Sequence, residues 1–395
     1  MAIFKQKFVW IGAVAVLVVL VVFGAAMMGS VLGTAPKEIP VALVVQDQPV
    51  KLPNGDTLAV GEQLKEKLTA NGQLPFRWTL LGSEEEARAG MDGRDYYGAL
   101  VLPADLSAGV ASLTGAAPKP ATVKVIGNDG LNAQAATVVK QALGQAMRMA
   151  NAELSKSLLD KLGQQTQQVP LAAAKALLAP MNVQEETVHA AGVRNASGNA
   201  PGMLTQIMWI GSLVAAMLLF LARGAALRTG ANKWPAFAWQ SVLGLALTGA
   251  ASGFLVWMAG SWYGMELARA GDTWLFLWLV GAVFFLLQSA LLNWIGFPAM
   301  GILVLLMFFS MPLLNMAPEF LSQTTQDWIY SWTPLRFAAA GLREVMYFGG
   351  LDAAGGPAAV LIWIGVAFLA LLLAAGLKPP RAAKGGAARA EAAAQ

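Results

Sequence analysis

The chain contains no cysteine, which excludes disulfides, thiolate metal ligands and Cys-His nucleophiles together. Its only histidine, His189, has no second histidine beside it, so common zinc sites and Ser-His pairs are excluded as well. It sits in a polar stretch and is expected to be an ordinary surface residue. Charged residues make up only 13% of the chain, about half the share usual in soluble domains. No G-x-x-x-x-G-K-[ST] loop occurs, so ATP hydrolysis by the P-loop route needs another subunit. With no G-x-S-x-G elbow either, an enzyme is the weakest class: no catalytic residue, cofactor site or metal site is expected.

Apolar sequence takes the place of that missing chemistry. Hydrophobic residues reach 56%, thirteen residues are tryptophan, and the mean hydropathy is +0.55, which points to an integral membrane protein. The run Phe8 to Leu32 is uncharged and exceeds the roughly 20 residues needed to cross a bilayer. A cleaved signal peptide is the competing reading, but its apolar region is usually only about 7 to 15 residues long. Five further spans are expected at Met203 to Ala222, Trp234 to Met258, Thr273 to Asn293, Phe297 to Met316 and Pro357 to Leu377.

With both termini in the cytoplasm, the inner side carries Lys5, Lys7, Arg223, Arg228, Lys233, Lys378, Arg381, Lys384 and Arg389, opposed only by Glu391. The segment 34–200 is close to neutral. This is the positive-inside pattern, and it makes the basic pI of 9.2 a matter of topology and anionic lipid, with no nucleic-acid partner.

The segment between the first two spans has the pattern of a folded domain. Val41 to Val45, Phe76 to Leu81, Tyr97 to Leu102 and Ala121 to Ile126 are strand-like runs. Gly61 to Leu68 is an amphipathic helix, and Ser83 followed by Glu86 forms a capping box. After Asn132, Val139, Leu143, Met147, Leu154, Leu158 and Leu162 recur at helical spacing, and Leu171 to Leu178 makes a second, shorter helix. The fold class expected is therefore an α-helical polytopic membrane protein with six transmembrane helices, one plus five, and an extracytoplasmic α/β domain between the first and second. Its parts are 1–33 (N-terminus and first helix), 34–202 (α/β domain with a helical hairpin), 203–377 (five-helix membrane domain) and 378–395 (disordered tail).

Within the spans, Gln240, Gln288, Asn293 and Asn315 are candidates for an intramembrane polar path, or for interhelical hydrogen bonds. Gly244, Gly249, Gly253 and Gly260 permit close helix packing. The stretch Ser310 to Gly350 is too apolar for a free loop and too interrupted for a span. It suits short helices lying at or dipping into the outer interface, anchored by Trp328, Tyr330 and Trp332, and it is either an amphipathic interfacial element or an outer gate. Arg336 and Arg343 fall on nearly one helical face, where Glu344 is placed to pair with either.

Pro312, Glu319-Phe-Leu, Trp332-Thr-Pro334 and Gly341-Leu-Arg343, placed before a last helix, resemble the C-terminal region of ABC-2-type transporter permeases. The outer segment, with Val41 to Asp47, Asn54 to Asp56, Gly61 to Leu64, Glu85 to Ala87, Tyr96 to Pro103, Asp105 to Ser107 and Asn128, resembles the N-terminal part of YhgE/Pip (phage infection protein) membrane proteins. Long members of that family carry a coiled-coil insertion, and here residues 132–179 leave room only for a hairpin. The resemblance implies a membrane subunit of the bacterial cytoplasmic membrane, working as a homodimer or heterodimer through its first and fifth spans. A separate P-loop ATPase would be received on the loop holding Arg223, Arg228, Lys233 and Trp234. Pro312, Glu319, Trp332, Pro334, Arg336, Arg343 and Glu344 would form the outer gate. The function so implied is export of an amphipathic or lipid-like compound. The alternative is a non-transporting membrane protein whose outer domain binds an envelope, secretion or phage partner.

Overall fold

A computed structural model describes Val21 and residues 36–52, 55–113, 115, 117–165 and 171–377. The expected first span, Phe8 to Leu32, is outside the described residues apart from Val21, as are Lys5, Lys7 and the tail 378–395.

The first part is a mixed five-stranded sheet with helices on both faces. In chain order come β1 (Ile39–Val45), the small antiparallel pair β2 (Val50–Lys51) and β3 (Thr57–Leu58), α1 (Val60–Ala70), β4 (Phe76–Leu81), α2 (Glu84–Asp92), β5 (Gly98–Leu102), α3 (Leu106–Ser112), β6 (Ala121–Asn128), α4 (Asp129–Gln165), α5 (Leu171–Leu177) and β7 (Met181–Val188). The sheet order is β4-β1-β5-β6-β7, parallel except where β5 meets β6. Continuous apolar runs occupy its centre because both faces are covered. Val41, Leu43, Leu100 and Leu102 face Leu64, Leu106 and Val139, whereas Ala42, Val44, Ala99 and Val101 face Ala87 and Met91 of α2. The alternation is the period of two that a pleated strand imposes.

Helix starts are defined by side chains. Ser83 Oγ accepts from the Glu86 amide, 3.1 Å, while the Glu86 carboxylate accepts from Gly82, 2.9 Å. The capping box therefore closes one residue earlier than its usual reciprocal partner. In α4, Asn132 is extended (φ −165°), so the regular helix begins after it, with its Oδ1 accepting from Ala135, 3.0 Å. Asp47, just past β1, joins two helices: Oδ2 accepts from Gly61 N (2.8 Å) and Ser107 Oγ (2.6 Å), and Oδ1 from Ser107 N (2.7 Å). The amino ends of α1 and α3 thus share one carboxylate.

Strand β7 is absent from the sequence reading. Asn182, Gln184 and Glu185 are exposed and only Met181 is fully buried, so its pattern is that of a polar edge strand that β6 recruits. The expected hairpin α4/α5 is consequently the crossover between two parallel neighbours, β6 and β7.

The second part is a bundle of α6 (Ala200–Arg228), α7 (Lys233–Ser261), α8 (Ala270–Ile295), α9 (Pro298–Asn315), α10 (Pro334–Tyr347) and α11 (Gly355–Ala374). All but the shorter α10 belong to five segments long and apolar enough to span a membrane. Helix α8 is the core, with Phe276, Phe284 and Phe285 fully enclosed. The others bury far less of themselves, leaving Val214, Leu218, Leu243, Leu247, Ile362 and Trp363 exposed. At about 25 cal/mol per Å² of apolar surface, that belt is stable only against hydrocarbon. Gly244, Gly249 and Gly253 lie against Phe285, Trp278 and Trp274. The indoles of Trp274 and Trp278 donate to the carbonyls of Gly249 and Leu245, 3.1 and 2.9 Å. Gly260 meets nothing and has no such packing role among the described residues.

The loop expected between Arg223 and Trp234 is shorter than its sequence suggests. Ala225, Ala226 and Leu227 are strong helix formers, so α6 runs on to Arg228 and α7 begins at Lys233. Arg223, Arg228, Lys233 and Trp234 accordingly stand on helices, and only residues 229–232 form the turn. Of the two arrangements expected for the Ser310 to Gly350 stretch, α10 takes the inserted one, with Leu335, Ala338, Leu342 and Val345 in the bundle core.

The shared carboxylate of Asp47 gives a direct test. Asp47→Ala removes charge-assisted bonds to both helix ends and is expected to cost about 2–4 kcal/mol, with hydrogen exchange rising first in α1 and α3. Unchanged exchange there would show that the helices do not depend on this side chain.

Candidate functional site

The two parts meet where α9 ends. Carbonyls in the last turn of a helix have no partner within it, and here both sides of the junction supply one. Arg343 Nη2 of α10 donates to Leu314 O, 3.0 Å, and Asn132 Nδ2 of the sheet domain donates to Asn315 O, 3.0 Å. Gly202 of α6 packs directly on the Asn315 side chain, where a Cβ would lie 2.1 Å from Oδ1.

A second contact passes through Glu319, in the turn Pro318–Phe320. Its Oε2 accepts from Tyr97 OH, 2.9 Å, and burial followed by the adjacent carboxylate pushes the Tyr97 hydroxyl well above its ordinary pKa. A third is an ion pair: Arg94 Nη1 lies 2.5 Å from Glu344 Oε1 and also donates to Ala353 O, 3.3 Å. Glu344 therefore pairs across the junction, not with Arg336 or Arg343 as its position on α10 suggests. One residue of helix turns a side chain by about 100°, which directs Glu344 away from the face those two arginines share. Burial pushes the Glu344 carboxyl upward against the lowering influence of Arg94.

Between these contacts lies a cavity of about 160 Å³, lined among others by Arg94, Tyr97, Asn132, Tyr330, Arg336, Arg343 and Glu344. Arg336 stacks on Tyr330 and Phe337, 4.3 Å from each ring centre. Three guanidinium groups and one carboxylate line the space. Thr333, fully buried, bonds Ser310 Oγ of α9 at 2.8 Å, and Pro334 opens α10 as its first residue. Pro312 lies inside the last turns of α9. Trp332 and Trp328 remain exposed, joined by a 2.6 Å bond from the Trp332 indole to the Trp328 carbonyl.

His189 belongs to this junction and is not an ordinary surface residue. Its ring stacks on Phe348, centroids 4.3 Å apart, with Nδ1 3.1 Å from Asn128 Oδ1 and Nε2 3.1 Å from Asp92 Oδ1. Burial lowers its pKa, opposed by Asp92; that carboxylate is 71% exposed, so water screens it and burial prevails. No composition signal marks this histidine, since Phe348 comes to it from a distant part of the chain.

The polar residues of the spans do not converge on one channel among the described residues. Gln288 donates to Trp209 O, 3.1 Å, across two helices, whereas Asn293 bonds Ser289 O of its own helix, 2.7 Å. Gln240, only 3% exposed, leaves both amide atoms without a partner. Asn315 stands at the sheet-domain end of α9.

Two measurements probe the junction. In a double-mutant cycle, Arg94→Gln and Glu344→Gln are expected to show a coupling of about 1–3 kcal/mol in denaturant unfolding of the detergent-solubilised protein; independent effects would mean that the pair does not hold the parts together. For His189, a lowered folded-state pKa means that the unfolded chain binds the proton more readily. Stability is therefore complete above the ordinary imidazole value of about 6.5 and falls as pH drops from there toward the lowered one. Thermal unfolding of the native chain should show this acid loss, and His189→Asn should abolish it.

These three grips and the cavity occupy the region that the sequence motifs mark out. No curated relative and no solved structure matches the chain. A model of the family described as ABC-2 family transporter protein matches residues 7–374, nearly the whole length, and the chain belongs to that family.

Proposed function

We propose that the chain is the membrane-spanning subunit of an ABC-2 exporter that moves an amphipathic or lipid-like compound outward, with ATP hydrolysed by a separate P-loop subunit. The observation that carries this reading is the three-point grip of the sheet domain, through Arg94, Tyr97 and Asn132, on the segments that connect α9 to α11. A domain clamped to the short elements at one mouth of a bundle is placed to couple its own movement to opening there, and Pro312, Glu319, Trp332, Pro334, Arg336, Arg343 and Glu344 are then gate residues.

Topology supports the same assignment. Helix α6 leaves the sheet domain and ends at Arg228, and α7 begins at Lys233, so the basic turn lies at the end of the bundle away from that domain. By the positive-inside rule this end is cytoplasmic. The sheet domain is then extracytoplasmic, Phe8 to Leu32 is a sixth span, and both termini are cytoplasmic in a bacterial cell membrane. In this reading the subunit works as a dimer and is a compact form of the YhgE/Pip type, which the resemblance of its outer domain supports. The chain itself has no catalytic role in this reading, and the turn around Arg228 and Lys233 faces the ATPase.

Purifying the full-length chain from its native membrane tests this directly. A P-loop ATPase should accompany it, its activity should rise with added amphiphile, and replacing residues 229–232 should release it. Recovery of no ATPase, with export unchanged on deletion of the gene, would overturn the transport reading. Because the chain lacks cysteine, Lys119→Cys offers a single label site. An impermeant maleimide should reach it from outside the cell, and labelling only after lysis would invert the topology.

A further inference from the structure

The corner between α6 and α7 carries a feature that the gate and the ATPase contact do not use. A groove of about 390 Å³ opens sideways there, lined by Leu219, Arg223, Asn232, Trp239, Gln240 and Leu243 among others. Arg223 lies over Phe237, 4.3 Å from the ring centre, and 5.4 Å from that of Phe220. Its Nε is buried with no hydrogen-bond acceptor, and among the described residues no carboxylate is within ion-pair distance or lines the groove. One helical turn beyond Phe237 stands Gln240, 97% removed from solvent with neither amide atom bonded among the described residues. A buried amide or guanidinium nitrogen left unsatisfied costs roughly 1–3 kcal/mol, so the Gln240 amide and the Nε of the half-buried Arg223 are open to an acceptor.

We propose that this corner binds one anionic phospholipid from the surrounding bilayer. The order of side chains along the groove matches the order of groups along such a lipid. Arg223 is five residues inside the end of α6, about 8 Å, and Gln240 seven residues inside the start of α7, about 10 Å. The phosphate meets Arg223 through charge-assisted hydrogen bonds. Deeper, the Gln240 amide donates to a glycerol ester carbonyl. Beyond it, an acyl chain lies along Leu243 and Leu219, with Trp239, which is 62% exposed, flanking it at the level of Gln240. Charge selects the occupant: the groove holds a cation and no acid, and a zwitterionic lipid would bring its own cation to that site.

The test uses the full-length chain, with any co-purifying subunit retained, in nanodiscs containing equal phosphatidylglycerol and phosphatidylcholine, released and analysed by native mass spectrometry. The native chain should keep one phosphatidylglycerol per copy in preference to phosphatidylcholine. Arg223→Gln should lower that preference about tenfold, the factor for one charge-assisted hydrogen bond, and Gln240→Leu should weaken retention without altering headgroup preference. Equal retention of the two lipids by the native chain would overturn the proposal, and this arm needs no variant to fold. Retention by Arg223→Gln at the native level would overturn it as well. So would a photo-crosslinker at position 239 that captured the chain's own Phe8 to Leu32 segment or a partner protein in place of lipid. None of these outcomes bears on whether an ATPase accompanies the chain, so the transport reading is decided separately.

Discussion

An apolar helix that ends inside a protein must find donors for its last carbonyls, because no water reaches them there. At the end of α9 the donors are Arg343 and Asn132, one from the bundle and one from the sheet domain. That requirement ties the two parts together. The same Asn132 caps α4 through its other amide atom, so the start of the longest helix in the sheet domain and the end of α9 are held by one side chain. A shift of one element against the other breaks the Asn132–Asn315 bond.

Around this point the charges are arranged to resist separation and to make it consequential. Arg94 and Glu344 meet in partial burial, Tyr97 holds Glu319, and His189 is pressed onto Phe348. An ion pair removed from water contributes little net stability while intact, yet breaking it strands a charge. Contacts of that kind favour two discrete arrangements over a continuum, which is the property a gated junction needs.

The bundle itself depends on a different rule. In hydrocarbon there is no hydrophobic drive between helices, so close contact and hydrogen bonds must hold them. Glycines of α7 admit the rings of Phe285, Trp278 and Trp274, and two of the indoles satisfy carbonyls of the facing helix. Where that pairing ends, near the α6–α7 turn, Arg223 Nε and the Gln240 amide find no hydrogen-bond partner among the described residues.

Hydropathy marked the five spans, apolar runs marked the strands β1, β4, β5 and β6, and helical spacing marked α4 after Asn132, because burial leaves a local pattern. The motifs around Pro312, Glu319 and Arg343 likewise pointed to the region where the parts meet. Tertiary structure decided the rest. Strand β7 exists because β6 offers it hydrogen bonds, and its own polar residues do not announce it. Glu344 finds Arg94, and His189 finds Phe348, across gaps of the chain that no spacing rule spans. Whether Gln240 is satisfied depends on which side chains of another helix reach it, and among the described residues none does. Local pattern records how much of a residue is covered; which residue covers it is a property of the assembled fold.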